Sequence, residues 1–155
     1  MIALPHILIV EDNEDDYEAT ERSFRRARFV NPISWCRNGQ DALDFLRREG
    51  AYANHGEIST DLILLDLNMP GLDGRRVLEI LKADERFKSI PVVVLTTSSD
   101  SKDVEKCYEL GASTYIQKPV DFQGLAEAVR TMKDYWFDIA ILPQTHFQHR
   151  KGNAA

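Results

Sequence analysis

Asp-Leu-Ile-Leu-Leu-Asp-Leu-Asn-Met-Pro-Gly-Leu-Asp-Gly (61–74) contains a four-residue apolar run that stops at Asp66. The run is followed by a Pro/Gly turn, then by Asp73, which has helix N-cap chemistry, and Gly74 at the expected start of a helix. A strand apolar on both faces must be covered on both faces, which is the situation of a central strand in a parallel sheet. Outward from this stretch, residues 92–95 are a second two-sided apolar run, and residues 6–10, 33–36 and 114–116 are shorter β-branched runs. Each is followed by a segment of helical period, at about residues 15–28, 41–49, 74–86, 102–110 and 122–136. In the last of these, Phe122, Leu125, Val129, Met132 and Trp136 step by three or four and share one face. This alternation predicts an α/β fold, a single doubly wound (βα)5 domain on a five-stranded parallel sheet. Residues 50–60, small and polar, read as an exposed loop between the second helix and the third strand.

Composition narrows the function classes. A chain of 155 residues with 43% apolar content supports one sizeable core. Nineteen Lys and Arg against twenty-five Asp and Glu give a net charge of −6, which argues against a general nucleic-acid binder or a surface that docks on anionic lipid. The apolar runs are far shorter than the roughly 18 residues of a membrane span. The N-terminus lacks a basic leader region, and its apolar stretch is interrupted by Pro5 and His6 and stopped by Glu11, so the chain reads as cytoplasmic. Cys36 and Cys107 form no metal or disulfide pattern and read as buried thiols. His6, His55, His146 and His149 have no ligand spacing and are expected in packing or solvent-facing roles.

In an open parallel sheet ligands bind at the carboxyl ends of the strands, so the residues just past each strand carry the chemistry. Here those positions hold Glu11 and Asp12, Asp66 and Asn68, Thr96 and Thr97, and Lys118 with Pro119. A single acid at a strand end is ordinarily a cap or a solvated loop residue, but three carboxylates gathered with hydroxyls and one ammonium make a different case. Crowded carboxylates repel, and a divalent cation relieves them. Mg²⁺, a hard ion that takes one or two carboxylates with waters and phosphate oxygens, suits this donor set. A metal beside a carboxylate and an ammonium is also what phosphoryl transfer needs, with Asp66 central enough to be the nucleophile.

These residues resemble the receiver domain of two-component response regulators over residues 5–136. The resemblance rests on Ile-Leu-Ile-Val-Glu-Asp-Asn (7–13), the 61–74 stretch, Pro-Val-Val-Val-Leu-Thr (91–96) and Lys-Pro (118–119). It implies a flavodoxin-like fold in which Asp66 accepts a phosphoryl group from a phosphohistidine on a partner histidine kinase. It further implies Mg²⁺ held by the side chains of Asp12 and Asp66, by Glu11 through water and by the backbone carbonyl of Asn68. Lys118 would pair with the phosphoryl oxygens, Thr96 would swing inward to hydrogen-bond one of them, and Tyr115 would follow Thr96 as the switch aromatic. Asn68 and Ser98 occupy the positions on which dephosphorylation depends in the family, and Pro119 is expected in a cis bond, although the sequence itself permits either isomer. Two residues depart from the commonest pattern: Glu11 where Asp is more usual, and Thr97 where a small Ala is common.

Gly-Ala-Tyr-Ala-Asn (50–54) and Tyr-Trp-Phe-Asp-Ile-Ala-Ile-Leu-Pro (135–143) resemble, more narrowly, stand-alone regulators paired with bacterial phytochrome kinases. That likeness implies a phytochrome-type kinase as partner and a homodimer formed through the region of the fourth and fifth helices and a C-terminal arm. Trp136, Phe137, Ile139, Ile141 and Leu142 are the arm's candidate dimer contacts. The expected organisation is a receiver over residues 1–137 and an arm over 138–155, with no output domain and an unknown downstream partner. Such a receiver takes up a phosphoryl group without being a turnover enzyme. A phosphatase resembling the haloacid dehalogenases would want a second acid where Asn68 stands, and no phosphate-binding Gly-rich loop is present. The alternative is a receiver-like binding module that works without phosphorylation, against which the retention of Glu11, Asp12, Asp66, Thr96 and Lys118 together speaks.

Overall fold

Side chains alternate across a strand, so a run such as Leu62–Leu65 can bury every residue only if both sheet faces are covered. A computed structural model, which describes residues 4–56 and 59–143, has this arrangement. Strands β1 (Ile7–Val10), β2 (Ile33–Cys36), β3 (Leu62–Leu65), β4 (Val92–Thr96) and β5 (Thr114–Gln117) alternate with helices α1 (Glu14–Arg26), α2 (Gly39–Arg47), α3 (Gly74–Ala83), α4 (Ser101–Leu110) and α5 (Phe122–Lys133). All strand pairs are parallel, in the order β2-β1-β3-β4-β5. This is the flavodoxin-like, doubly wound order, with its switch point between β1 and β3.

The alternation divides the core. Leu8, Val10, Ile63, Leu65, Val92 and Val94 point to one face, where Leu43, Phe45, Leu78, Leu81 and Cys107 of α2, α3 and α4 cover them. Ile7, Ile9, Leu62, Leu64, Val93 and Leu95 point to the other, under Phe24 of α1 and Val129 and Met132 of α5. Each helix begins on an Asn or Asp whose side chain accepts a backbone N–H of the first turn: Asn13, Asn38, Asp73, Asp100 and Asp121. Among the described residues no helix is long and apolar enough to cross a membrane.

Residues 50–60 depart from the exposed-loop expectation. Gly50–Tyr52 forms a 3₁₀ turn, the Tyr52 ring meets Phe45 edge-on at 5.3 Å, and Thr60 is buried. The helical winding after α5 continues as a π-helical turn over Asp134–Ile139, past residue 136. There Trp136 and Phe137 pack onto the α1/α5 side of the core, Phe137 lying 4.8 Å from the Phe29 ring. Ile139 and Ile141 are exposed at 72% and 96%, and Leu142 is half-buried. The rest of the arm, residues 144–155, with His146 and His149, lies outside the described residues.

His6 is a packing residue, buried just before β1, with its Nε2 2.8 Å from the Ser34 hydroxyl. Burial, helped by the charge of Arg48, lowers its pKa from 6.5 to about 4. The unfolded chain therefore takes up this proton as pH falls through 6.5, while the folded chain resists until about 4. Stability contributed by neutral His6 is complete above pH 6.5 and is lost toward pH 4, by roughly 3 kcal/mol. Urea midpoints followed from pH 7 to 4 in wild type and His6→Gln check this, because the difference between the two curves isolates His6. The variant is expected to lack that part of the slope.

Candidate functional site

The site is assembled at the carboxyl end of the sheet by strand register. Val10 pairs with Leu65, and the Asp66 N–H donates to the Val10 carbonyl at 3.0 Å, so the residues following β1 and β3 lie side by side. Carboxylate oxygens of Glu11, Asp12 and Asp66 come within 4.8 Å of one another, with Glu11 and Asp66 buried and Asp12 half-buried. From β5, Lys118 reaches across. Its Nζ is 2.5 Å from Glu11 Oε1, 3.1 Å from Asp16 Oδ2 and 3.8 Å from Asp66 Oδ2.

Burial opposes the charge on Lys118, but the hydrogen bond to Glu11 and the charges of Glu11 and Asp66 outweigh it, holding the ammonium above its ordinary pKa. Burial also pushes the Glu11 carboxyl up to about 7, against the pull of Lys118 and with the charge of Asp66 adding to the rise. The carboxylates thus carry an excess of negative charge that one ammonium does not neutralise. Three hard oxygen donors so placed fit a divalent cation.

Thr96, the last residue of β4, is fully buried, and its Oγ1 is the only buried side-chain polar atom without a hydrogen-bond partner among the described residues. A buried hydroxyl without a partner calls for an explanation, and a ligand oxygen arriving at the strand ends supplies one. The Thr96 carbonyl accepts the Lys118 N–H at 2.7 Å, tying β4 to the residue that carries the ammonium. Asn68 lies exposed in the turn between β3 and α3, and Thr97 is exposed just past β4. Tyr115 is half-buried on β5, its hydroxyl donating to the Ser98 carbonyl at 2.9 Å. No cis peptide bond occurs among the described residues, so the bond before Pro119 is trans, contrary to the expectation drawn from the resemblance. A trans bond is the lower-energy form for Pro and is compatible with this loop.

Gly74 opens α3 hard against the end of β3. Its N–H donates to the Leu67 carbonyl at 3.0 Å, and a Cβ there would lie 2.2 Å from the Asp66 carbonyl oxygen. Only glycine lets the helix start this close to the Asp66 backbone.

Sequence reasoning missed two contributors. Asp16, in the first turn of α1, shares Lys118 with Glu11; its spacing of four from Asp12 places both on one side of that turn, a signal present in the sequence. Arg75 on α3 grips Asp103 on α4 with two 2.7 Å hydrogen bonds, and Asp103 accepts from the Ser98 hydroxyl at 2.7 Å. Arg75 first and Ser98 second hold the Asp103 carboxyl below the usual carboxylate range. This clamp anchors the loop after β4 to α3, and no local motif announces it.

Residues 7–130 match the family model for the response regulator receiver domain. The chain belongs to this receiver family. The receiver is 41% identical over 131 residues to the probable methanogenesis regulatory protein FilR2 of Methanothrix harundinacea, covering 84% of this chain and 82% of that protein. It is similar to the crystal structure of the phosphorylated cyanobacterial phytochrome response regulator RcpA, with 38% identity and a TM-score of 0.85 over 92% of this chain and all (100%) of the other. The Mn²⁺-bound form of response regulator Rcp1, a Synechocystis protein, is 36% identical with a TM-score of 0.83, covering 90% of this receiver and 99% of that chain. The receiver is accordingly a response regulator related to phytochrome response regulators and is not a turnover enzyme.

Proposed function

We propose that the chain is a single-domain response regulator that accepts a phosphoryl group from a phytochrome-type histidine kinase onto Asp66, in a Mg²⁺-dependent reaction, and signals through the surface change that follows. The observation that carries this reading is the meeting of Glu11, Asp12 and Asp66 within 4.8 Å, beside Lys118 and the orphaned Thr96 hydroxyl. The kinase class is supported by the likeness to RcpA, whose title names a phytochrome response regulator.

In this mechanism an Asp66 carboxylate oxygen attacks the phosphorus of a phosphohistidine. The new O–P bond forms as the N–P bond breaks, and the imidazole departs with the bonding electron pair. Lys118, held charged by its acidic neighbours, pairs with the oxygens of the transferred group. Thr96 turns its free hydroxyl to one of those oxygens, and Tyr115, anchored only through its hydroxyl to Ser98 and its N–H to Tyr108, follows into the vacated space. Asp12 and Asp66 by side chain, Glu11 through water and Asn68 by its carbonyl are the residues that would hold Mg²⁺. When bound, that ion neutralises charge on the phosphoryl oxygens. A cytoplasmic location follows from the need for an ATP-charged kinase.

The domain division is a receiver over 1–137 and an arm over 138–155. We assign the arm to a homodimer contact, on the exposure of Ile139 and Ile141 beside Leu142, while Trp136 and Phe137 anchor its root to the domain. Ile139→Glu combined with Ile141→Glu places charge on that patch without touching the root, and sedimentation is expected to show a larger monomer fraction than in wild type. An unchanged dimer removes the arm from the contact, and a monomeric wild type removes the dimer. The kinase assignment is tested by following label from an autophosphorylated phytochrome histidine kinase. Rapid Mg²⁺-dependent transfer to wild type is expected; acceptance from acetyl phosphate but from no phytochrome kinase contradicts that partner.

A further inference from the structure

β1 ends at Val10, yet the peptide that follows is held as firmly as one inside a ladder. The Glu11 N–H donates to the Cys36 carbonyl at 3.1 Å, as a continuing strand would. The Glu11 carbonyl instead accepts the indole N–H of Trp35 at 2.8 Å. That carbonyl belongs to the peptide plane shared by Glu11 and Asp12, so whatever fixes it fixes the Cα of Asp12 and the direction from which its carboxylate enters the acidic pocket.

The indole is itself fixed. The Tyr17 ring of α1 stacks on it at 4.1 Å with only 2° between the planes, and the Arg37 guanidinium carbon lies over it 4.6 Å from the ring centroid. Arg37 in turn stands 4.0 Å from Glu14 at the start of α1. A side chain with few rotatable bonds, stacked and capped in this way, is a low-entropy way to hold a donor at one place.

We propose that Trp35 is a positioning residue of the phosphoryl site, setting the geometry of the Glu11–Asp12 peptide through its indole N–H and thereby the affinity of the pocket for a divalent cation. This rests on the functional reading above, in which Asp12 and Glu11 serve that ion. Partners that orient ligands without touching the metal typically change metal affinity about tenfold or more when removed.

Two variants separate the N–H from the ring. Trp35→Phe keeps an aromatic face for Tyr17 and Arg37, and Trp35→3-benzothienylalanine keeps the full bicyclic shape with sulfur in place of the N–H. Mg²⁺ affinity is measured by calorimetry on the full chain, alongside the thermal midpoint without metal and the labelling rate with acetyl phosphate as a function of Mg²⁺. The expected result is a dissociation constant for Mg²⁺ raised about tenfold in both variants, with the thermal midpoint near that of wild type. The labelling rate at saturating Mg²⁺ is expected to return to the wild-type plateau, a split that a merely structural role does not produce. Mg²⁺ affinity within about twofold of wild type in a folded variant overturns the inference, and so does a plateau that falls in step with the thermal midpoint. If wild type itself binds no Mg²⁺, the functional reading fails, and this inference with it; wild-type binding with unaffected variants removes the inference alone.

Discussion

Asp66→Asn is expected to fold as wild type does and to accept no phosphoryl group from any donor. The amide has nearly the shape of the carboxylate it replaces in this buried position, 7% exposed, so the β3 end keeps its packing and the backbone N–H keeps its bond to Val10. What is lost is the nucleophile, because an amide oxygen does not attack phosphorus at a useful rate. Removing a nucleophile costs at least about a thousandfold, so labelling should fall below detection. Stability should move the other way in Mg²⁺-free buffer. Charges 4.8 Å apart, the limit within which Asp66 meets both Glu11 and Asp12, repel by roughly 3.5 kcal/mol per pair at an effective dielectric of about 20. The attraction to Lys118 at 3.8 Å, roughly 4 kcal/mol on the same scale, offsets only one of those pairs. A thermal midpoint at or above that of wild type, with no label, is the expected pair of results. Labelling of the variant at the wild-type rate refutes the phosphoacceptor assignment.

Gly74→Ala should damage stability and chemistry together. The added Cβ would lie 2.2 Å from the Asp66 carbonyl oxygen and 2.8 Å from the Leu67 Cα. Both are backbone atoms, so no rotamer change makes room and α3 must draw back from the end of β3. Overpacking of this kind costs about 2–3 kcal/mol, which in a domain of this size lowers the thermal midpoint by roughly 5–10 °C. Because the displaced atom belongs to Asp66, a shift of about an ångström is also expected to slow labelling by up to about a hundredfold. Gly71→Ala is the control. Its φ of 75° strains any side chain, but nothing lies within 4 Å of the new Cβ. It should cost about 1 kcal/mol and leave the labelling rate of folded protein unchanged. Equal labelling losses in the two variants, measured on folded protein, contradict the close-approach account of Gly74.

The fold was readable because its central strands are apolar on both faces, a pattern that depends on local residues alone. Leu62–Leu65 and the 92–95 run fell where the sheet places its middle, and β4 and β5 differ from the sequence reading only by running one residue further, to Thr96 and Gln117. Glu11, Asp12 and Asp66 were readable as site residues for the same reason: they stop apolar runs, and parallel register brings such stops together. The contacts that escaped are those between distant segments. Tyr52 looked like part of a polar loop because its packing partner, Phe45, lies on a helix that only the fold brings under it. Arg75 and Asp103 meet only because α3 and α4 are neighbours on one face. Trp35 read as an ordinary strand residue, since nothing in the 33–36 run says that its indole reaches the carbonyl of Glu11.

The central claim is that this pocket takes a phosphoryl group on Asp66 with the help of a divalent cation. Intact-mass spectrometry of wild type after incubation with acetyl phosphate or with an autophosphorylated histidine kinase, each with and without Mg²⁺, tests it most directly. The expected result is a single phosphoryl adduct that requires Mg²⁺ and maps to Asp66. The contradicting result is no Mg²⁺-dependent adduct from either donor, which would leave a receiver fold that binds its partners without phosphorylation.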